Sequence, residues 1–187
     1  MEATLASQTS VVMFLNSLSN LPAWSLPPGY EMRSLQPGDE QAWEQIIAAS
    51  FGEQYHFKEF MEKEDQYEPE KVWFVVHNHR PVATASAWHI NKYPEDTGCL
   101  HMVGILPEHA GKGLGKQVSL AALHKMKQEG RSKAMLNTNT FRLPAIKTYL
   151  NIGFTPHIID DEHVERWRTA AEQLKDERLL RFLKKWE

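Results

Sequence analysis

The sequence has only one cysteine, Cys99, among its 187 residues. A single cysteine excludes an internal disulfide framework and a zinc site built from several cysteines, and it favours a reducing compartment. The chain also lacks an apolar run of about eighteen residues, and no basic segment precedes its short apolar stretch at residues 11–15. We therefore expect no membrane partner, no signal peptide and a cytoplasmic location.

An excess of charge of one sign is also missing. Twenty-one Lys and Arg stand against 24 Asp and Glu, a formal net charge of −3, and no long basic run is present. Nucleic-acid-binding domains usually carry a basic surface, so we expect no nucleic-acid partner. The nine histidines show no His-x-x-x-His or His-Glu-x-x-His spacing, and we therefore expect no metal site.

Turn residues and hydrophobic spacing predict an α/β protein with a mixed sheet and helices on both faces. The predicted strands are residues 30–35, 72–76, 81–89, 99–106, 134–138 and 153–159. The predicted helices are residues 40–51, 114–129, 142–151 and a charged run from 161, with a weaker helical stretch at 56–65.

Three regions are expected along the chain. Residues 1–28 are interpreted as an N-terminal extension with a short helix at 9–18, and residues 29–160 as the single folded domain. Residues 161–187 are expected to form a helical tail that packs on the domain or extends it. The tail leaves a homodimer open as an alternative.

The most informative segment is Val103–Lys116, where a strand ends, glycines follow at alternate positions and a helix begins. Gly111, Gly113 and Gly115 leave the backbone N–H groups accessible, and the first N–H groups of a helix have no partner within it. Lys112 and Lys116 add positive charge. The pattern predicts a turn that binds a pyrophosphate.

Several interpretations of this turn compete. Gln117 stands where a P-loop needs Ser or Thr, and the glycines lie too late in the chain for a dinucleotide-binding unit. A turn that only joins a strand to a helix remains an alternative. A nucleotide-phosphate binder of another family is a further alternative, which a comparison of coenzyme A with ATP would test.

A second segment, residues 142–154, strengthens the phosphate-binding interpretation. It contains the pattern Ala-x-x-x-Tyr-x-x-x-Gly-Phe, which ends at Phe154. Together the two segments resemble the paired motifs of the GNAT superfamily of N-acyltransferases, and the resemblance extends over residues 30–158. It implies the GNAT acyl-CoA N-acyltransferase fold, a central and mostly antiparallel sheet flanked by helices. It also implies a bound acyl-coenzyme A, most often acetyl-CoA.

The resemblance further implies which residues contact acetyl-CoA. The backbone of Val103, Gly104 and Ile105 is expected to run beside the pantetheine arm, with a bulge at Gly104. The loop is expected to hold the pyrophosphate through Gly111, Lys112, Gly113, Leu114, Gly115 and Lys116.

Two positions depart from the family pattern. Ala110 replaces the usual Arg or Gln of the first motif, and Arg142 replaces the usual Asn of the second. The loss at Ala110 removes one phosphate contact. We expect the positive charges of Arg142 and Lys112 to compensate for it.

Acetyl transfer to an amine benefits from a base for the amine and an acid for the departing thiolate. By resemblance Tyr149 is the candidate acid, and the alternative is a tyrosine that only packs in the core. His101 is the candidate base, because an ordinary imidazole titrates near a pKa of about 6.5. A hydrogen-bonded strand histidine is an equally good interpretation. Cys99 is expected to be a small buried hydrophobe and not a nucleophile.

The function that the resemblance implies is N-acetyl transfer from acetyl-CoA to a primary amine of a small molecule or peptide. The expected mechanism is direct attack in a ternary complex. A non-catalytic module that binds or senses acyl-CoA is the alternative. No pattern in residues 51–70 or 89–98 identifies the acceptor.

Overall fold

A computed structural model of the chain describes residues 9–63 and 67–186. Residues 1–8 of the expected extension and the end of the stretch 56–65 lie outside the described residues. The chain divides into two units. The first unit is residues 16–134, and the second joins the chain up to Leu15 with the chain from Met135 onward.

Seven strands lie in the described ranges: β1 (Ser10–Leu15), β2 (Tyr30–Ser34), β3 (Val72–His77), β4 (Arg80–Trp88), β5 (Thr97–Ile105), β6 (Lys133–Asn139) and β7 (Thr155–His157). The α-helices there are α1 (Glu40–Phe51), α2 (Leu114–Gln128), α3 (Leu143–Ile152), α4 (Asp161–Leu174) and α5 (Glu177–Leu183). Short 3-10 turns occur at Pro69–Lys71, Pro107–His109 and Lys184–Trp186, and a π-helical turn at Lys58–Glu62.

The first unit is built on four consecutive antiparallel strands, β2 to β5. A Cβ at Gly104 would contact Ile46 and Ile47 of α1, whereas a Cβ at Gly115 of α2 would contact the side chain of Ile105. Neighbouring residues of a strand point to opposite faces, so α1 and α2 cover opposite faces of β5. The predicted arrangement of helices on both faces is confirmed here.

In the second unit β1 lies between β6 and β7 and pairs antiparallel with β7. The predicted helix over residues 9–18 is therefore wrong. Val11, Met13 and Leu15 are buried while the residues between them are partly exposed, which is the period of a strand. Because residues 11–15 are all apolar, the sequence alone does not show that every second side chain is buried.

Two other predicted helices differ in the structure. The charged run from residue 161 forms two helices, because Lys175 adopts the left-handed conformation at φ 51° and the side chain of Asp176 caps the next helix by accepting a hydrogen bond from the Arg178 N–H. The described part of the stretch 56–65 forms only the short π-helical turn. The remaining elements from β2 to α3 match their predicted type, with ends shifted by a few residues.

Asp39 connects the start of α1 to β2. Its carboxylate accepts hydrogen bonds from both terminal nitrogens of Arg33, at 2.5 and 3.0 Å, and from the backbone N–H of Gln36 at 2.8 Å. Burial opposes ionisation of this carboxyl, but the Arg33 and Gln36 hydrogen bonds outweigh it and lower the pKa of Asp39. The ionised form is therefore part of the folded state at neutral pH.

We predict that Asp39→Asn lowers the free energy of unfolding at pH 7 by about 1–2 kcal/mol, because charged hydrogen bonds are lost. The folded-state pKa is lowered, so this contribution is present above about pH 4 and is lost as the pH falls through the lowered pKa. Urea unfolding at pH 7 and pH 3 measures both effects. Equal losses at the two pH values, or an equal loss in the exposed control Glu172→Gln, would contradict the prediction.

Candidate active site

The strand that precedes the glycine loop contains a β-bulge. Ser86 of β4 pairs with His101, but Thr84 pairs with Gly104, so β5 contains one extra residue between these pairs. Met102, inside this interval, has a positive φ of 48°. The predicted bulge is confirmed in β5, but its position is corrected: Gly104 is regularly paired and the irregularity precedes it. The extra residue changes the direction in which the end of β5 presents its backbone groups.

Gly104 serves close packing of α1 on the strand. A Cβ at this position would lie 2.8 Å from Ser50 Oγ and 3.0 Å from Ile46 Cγ2. Only glycine allows the helix to approach β5 this closely without displacement of its neighbours.

Ser50 uses this close approach to hold the backbone of Ile105. The Ser50 hydroxyl accepts a hydrogen bond from the Ile105 N–H at 2.8 Å and donates to the Ile105 carbonyl oxygen at 3.1 Å. The next residue, Leu106, donates its N–H to Val82 of β4. Ile105 therefore directs its polar groups away from β4, as alternate residues of an antiparallel strand do. These are backbone groups expected to face the pantetheine arm, and in this structure a side chain already engages them.

The loop after β5 forms an accessible set of backbone donors. Gly111 and Gly113 have φ values of 76° and 77°, and a Cβ at either position would meet nothing within 4 Å. Residues 111–113 precede α2, and residues 114 and 115 are its first two residues. In the described part of the chain, their N–H groups donate to no backbone acceptor in a loop, turn or neighbouring element. No side chain caps the start of α2. The donors at this helix start are thus available to a bound anion.

The charges around this loop favour an anion as well. The first turn of α2 contains no acidic residue. Lys112 is exposed and follows Gly111, which has a positive φ, whereas Lys116 is half-buried in the first turn of α2. A helix N-terminus contributes about 0.3–1 kcal/mol to each nearby anionic group. The donors, the open space and the charges of the loop fit the diphosphate of coenzyme A.

His101 and Cys99 lie on β5 before the bulge. The ring of His101 stacks on Trp88 with centroids 5.7 Å apart, and burial lowers the pKa of His101 to about 4. Cys99 is 3% exposed, and burial raises the pKa of its thiol to about 12. Such a thiol is protonated at neutral pH, in agreement with its expected role as a buried hydrophobe. A pKa of about 4 makes His101 a weaker base than the ordinary imidazole on which its expected role rests.

Tyr149 and Arg142 belong to the second unit. Tyr149 lies in α3, is 5% exposed and packs edge-on against Phe154, with ring centroids 6.0 Å apart. Burial raises the pKa of Tyr149 to about 12, and the charge of Arg142 opposes this rise. The structure thus brings these two predicted site residues into electrostatic contact. His101, Val103–Ile105 and the loop Gly111–Lys116 form the continuous strand–loop–helix segment of the first unit.

A known sequence family matches more than half of the chain. The sequence model described as "Acetyltransferase (GNAT) family" matches residues 40–154. The chain belongs to the GNAT acetyltransferase family. The match includes β5, the glycine loop and α3, so the two motifs that carry the resemblance lie within it.

The chain is similar to several named GNAT relatives. It is 26% identical over 151 residues to a mycothiol acetyltransferase of Thermomonospora curvata, covering 76% of this chain and 50% of that protein. It is 31% identical over 152 residues to a mycothiol acetyltransferase of Paenarthrobacter aurescens, covering 75% of this chain and 47% of that protein. The chain thus spans about half the length of these relatives.

The fold is shared with a solved structure, a GCN5-related N-acetyltransferase from Sphaerobacter thermophilus. The TM-score is 0.65 at 20% sequence identity, and the alignment covers 83% of this chain and 53% of that one. This likeness confirms the predicted GNAT fold.

The described residues contain neither a membrane-spanning helix nor a cluster of metal-ligating side chains. Within the described ranges, no helix is long and apolar enough to cross a membrane. The same ranges contain no group of three or more His, Cys, Asp or Glu side chains arranged to hold a metal ion.

Sequence reasoning missed Ser50 as a residue of the candidate site. A signal was present, because Ser50 is the polar member of an otherwise apolar helix face that includes Trp43, Ile46 and Ile47. A polar side chain on such a face needs a partner, and here the partner is the Ile105 backbone.

We predict that Ser50→Ala lowers the free energy of unfolding by about 0.5–1.5 kcal/mol and tightens the binding of coenzyme A by about threefold to tenfold. Both changes share one cause, because the variant frees the Ile105 N–H for the ligand. Thermal unfolding and isothermal titration calorimetry measure the two effects.

The exposed Ser17→Ala is the control for this prediction, and neither quantity should change in it. Weaker binding of coenzyme A by Ser50→Ala would mean that the hydroxyl belongs to the binding surface and does not compete with the ligand.

Proposed function

We propose that this GNAT protein is an N-acetyltransferase that transfers the acetyl group of acetyl-CoA to a primary amine of a small molecule or peptide. The proposed mechanism is direct attack of the amine in a ternary complex. The observation that carries the proposal is the set of accessible N–H donors at residues 111–115, which follows a bulged strand. Membership of the GNAT family supports it.

The proposed binding residues act through their backbone and their charge. Gly111, Gly113, Leu114 and Gly115 donate N–H groups to the diphosphate, and the segment Val103–Ile105 borders the pantetheine arm. Positive charge comes from Lys112, Lys116 and Arg142. Acetyl-CoA supplies a thioester, the activated form of the acetyl group.

Tyr149 is proposed as the acid that protonates the departing sulfur. Its pKa of about 12 keeps the phenol protonated at neutral pH, so the proton is present when it is needed. The same pKa exceeds that of an ordinary thiol, about 8.5, and makes proton transfer to a thiolate uphill. Arg142 reduces this difference because its positive charge stabilises the phenolate. Arg142 therefore has a proposed second role besides phosphate binding.

His101 is proposed to accept a hydrogen bond from the attacking amine as a neutral imidazole. Its pKa of about 4 keeps the ring neutral throughout the physiological range. A lysine-like amine has a pKa of about 10.4, so most of the acceptor is protonated at neutral pH and must lose a proton before attack. Loss of that proton to water before binding leaves a neutral amine to attack without a strong base in the protein. The nitrogen loses a second proton to water after the C–N bond forms, which balances the proton that Tyr149 gives to the departing sulfur.

We predict that Tyr149→Phe lowers kcat about a hundredfold, because the variant removes the acid but keeps the ring that packs on Phe154. Its Kd for acetyl-CoA should stay within twofold of the wild-type value. Steady-state kinetics and calorimetry separate the two quantities. An unchanged kcat would remove Tyr149 from the mechanism and leave it a packing residue.

We predict that kcat/KM rises with pH up to the pKa of the acceptor amine and shows no inflection near pH 6.5. The reason is that the titration of His101 lies near pH 4, below the range in which the amine becomes neutral. A pH series between 5.5 and 9.5 in wild type and His101→Gln tests this expectation. A limb near pH 6.5 that disappears in His101→Gln would restore the ordinary-base interpretation.

The test of the proposed function is an acceptor screen that measures release of free thiol from acetyl-CoA. The names of the relatives direct the screen first to the acceptors of mycothiol acetyltransferases, followed by other small amines and peptide N-termini. Thiol release that depends on an amine and falls in Tyr149→Phe supports the proposal.

Calorimetry with coenzyme A and with ATP completes the test. Tight coenzyme A binding without turnover on any acceptor would favour the non-catalytic acyl-CoA-binding module. Binding of ATP without binding of coenzyme A would overturn the assignment of the loop.

A further inference from the structure

Tyr30 contacts the glycine loop at two positions. Its hydroxyl lies 2.9 Å from His109 Nδ1 and 3.0 Å from Lys112 Nζ. The two partners stand on either side of Gly111, whose positive φ marks the turn of the loop. A single phenol oxygen therefore links the 3-10 turn Pro107–His109 to the segment that begins α2.

The sheet holds Tyr30 in place. Tyr30 is the first residue of β2 and pairs with His77 of β3. The two rings lie 4.6 Å apart between centroids, and the His109 ring meets Tyr30 edge-on at 5.7 Å and His77 at 5.2 Å. The phenol oxygen is thus attached to a packed ring on a paired strand, and the loop residues are attached to it.

The loop has few other constraints near this point. His109 and Ala110 donate their N–H groups to Leu106 and Pro107 within the turn. In the described ranges the N–H groups of residues 111–113 donate to no backbone acceptor, and a side chain at Gly111 would meet nothing within 4 Å. Two contacts span this open section: the hydroxyl of Tyr30, and a longer contact of 3.5 Å from Lys112 Nζ to the Glu108 carbonyl oxygen.

The chemistry of the groups sets the direction of the first hydrogen bond, because an ammonium only donates and Lys112 therefore donates to the phenol oxygen. In the tautomer of His109 that carries its proton on Nε2, the phenol in turn donates its proton to His109 Nδ1. This chain requires a neutral His109. Burial, followed by the charge of Lys112, lowers the pKa of His109 and so favours the neutral ring at pH 7. Lys112 retains a further N–H for a phosphate oxygen.

We propose that Tyr30 is a positioning residue that holds the pyrophosphate loop and Lys112 in the geometry that binds coenzyme A. The proposal rests on the proposed function, because it assigns the diphosphate to this loop. A loop and a long side chain that are already ordered lose less conformational entropy when the ligand binds. The benefit therefore appears in ligand affinity and not in the rate of the chemical step.

The test is the variant Tyr30→Phe, which keeps the packed ring and removes the hydroxyl. We expect its Kd for coenzyme A to rise about threefold to tenfold in calorimetry, with kcat at saturating acetyl-CoA within twofold of wild type. Tyr93→Phe is the matched control, because Lys92 Nζ lies over the Tyr93 ring at 5.2 Å much as Lys112 Nζ lies over Tyr30 at 5.7 Å. Its Kd for coenzyme A should not change.

A double-mutant cycle separates positioning from a general structural effect. In a Lys112→Met background, Tyr30→Phe should change the Kd for coenzyme A by less than twofold, because the hydroxyl has lost the partner through which it acts. His109→Phe provides a second route, since it removes the acceptor at the other end and should also raise the Kd. Thermal unfolding and circular dichroism report whether each variant folds.

The possible results distinguish this proposal from the proposed function. If wild type binds coenzyme A and Tyr30→Phe binds it equally well, the positioning role is refuted and the proposed function stands. A full effect of Tyr30→Phe in the Lys112→Met background would also refute the positioning role. Absence of coenzyme A binding in wild type would refute the proposed function, and the positioning role with it.

Discussion

The proposed coenzyme A site depends on the backbone N–H groups of residues 111–113, for which the residues that the structure describes provide no backbone acceptor. Between β5 and α2 the chain passes through two residues with positive φ, Gly111 and Gly113, and enters the helix without a side-chain cap. A helix start of this kind is unfavourable unless water or a ligand satisfies its donors. An anion with several oxygens satisfies them together, and the macrodipole of α2 adds to the attraction. The diphosphate of coenzyme A has this chemistry, and the GNAT family match includes the loop.

Three features of the first unit position the segment that contains these donors: the close contact of α1 at Gly104, the bulge at Met102 and the hydrogen bonds of Tyr30. Gly104 admits α1 so closely that Ser50 can hold the Ile105 backbone, and the bulge at Met102 redirects the strand just before that contact. On the other side Tyr30 links β2 to the loop through Lys112. The affinity for coenzyme A is therefore expected to respond to residues that a motif comparison does not select. Ser50 competes for a backbone donor, whereas Tyr30 orders a loop.

Much of this arrangement could be predicted from the sequence, and the exceptions have physical causes. The glycine spacing and the Tyr149 motif resemble those of the GNAT family, and this resemblance implies the fold. Local residue preferences predict the turn and the helix start. The sequence predicts a helix where strand β1 lies, because residues 11–15 are all apolar and show no alternation. Only the pairing of β1 with β7 shows which of its side chains are buried. The sequence also does not predict the pKa values of His101 and Tyr149. Burial shifts the pKa of His101 to about 4 and that of Tyr149 to about 12, and burial is a property of the packed fold.

The most direct test of the proposed diphosphate site is a titration of the ¹⁵N-labelled protein with coenzyme A, followed through its glycine amide signals. Large shifts are expected for Gly111, Gly113 and Gly115 as the diphosphate accepts hydrogen bonds from their N–H groups. Gly38, Gly52 and Gly130 are the internal controls, because they also have positive φ and open surroundings but lie in other turns, and their signals should not move. Saturable binding of coenzyme A that leaves the three loop glycines unchanged would show that the diphosphate binds elsewhere.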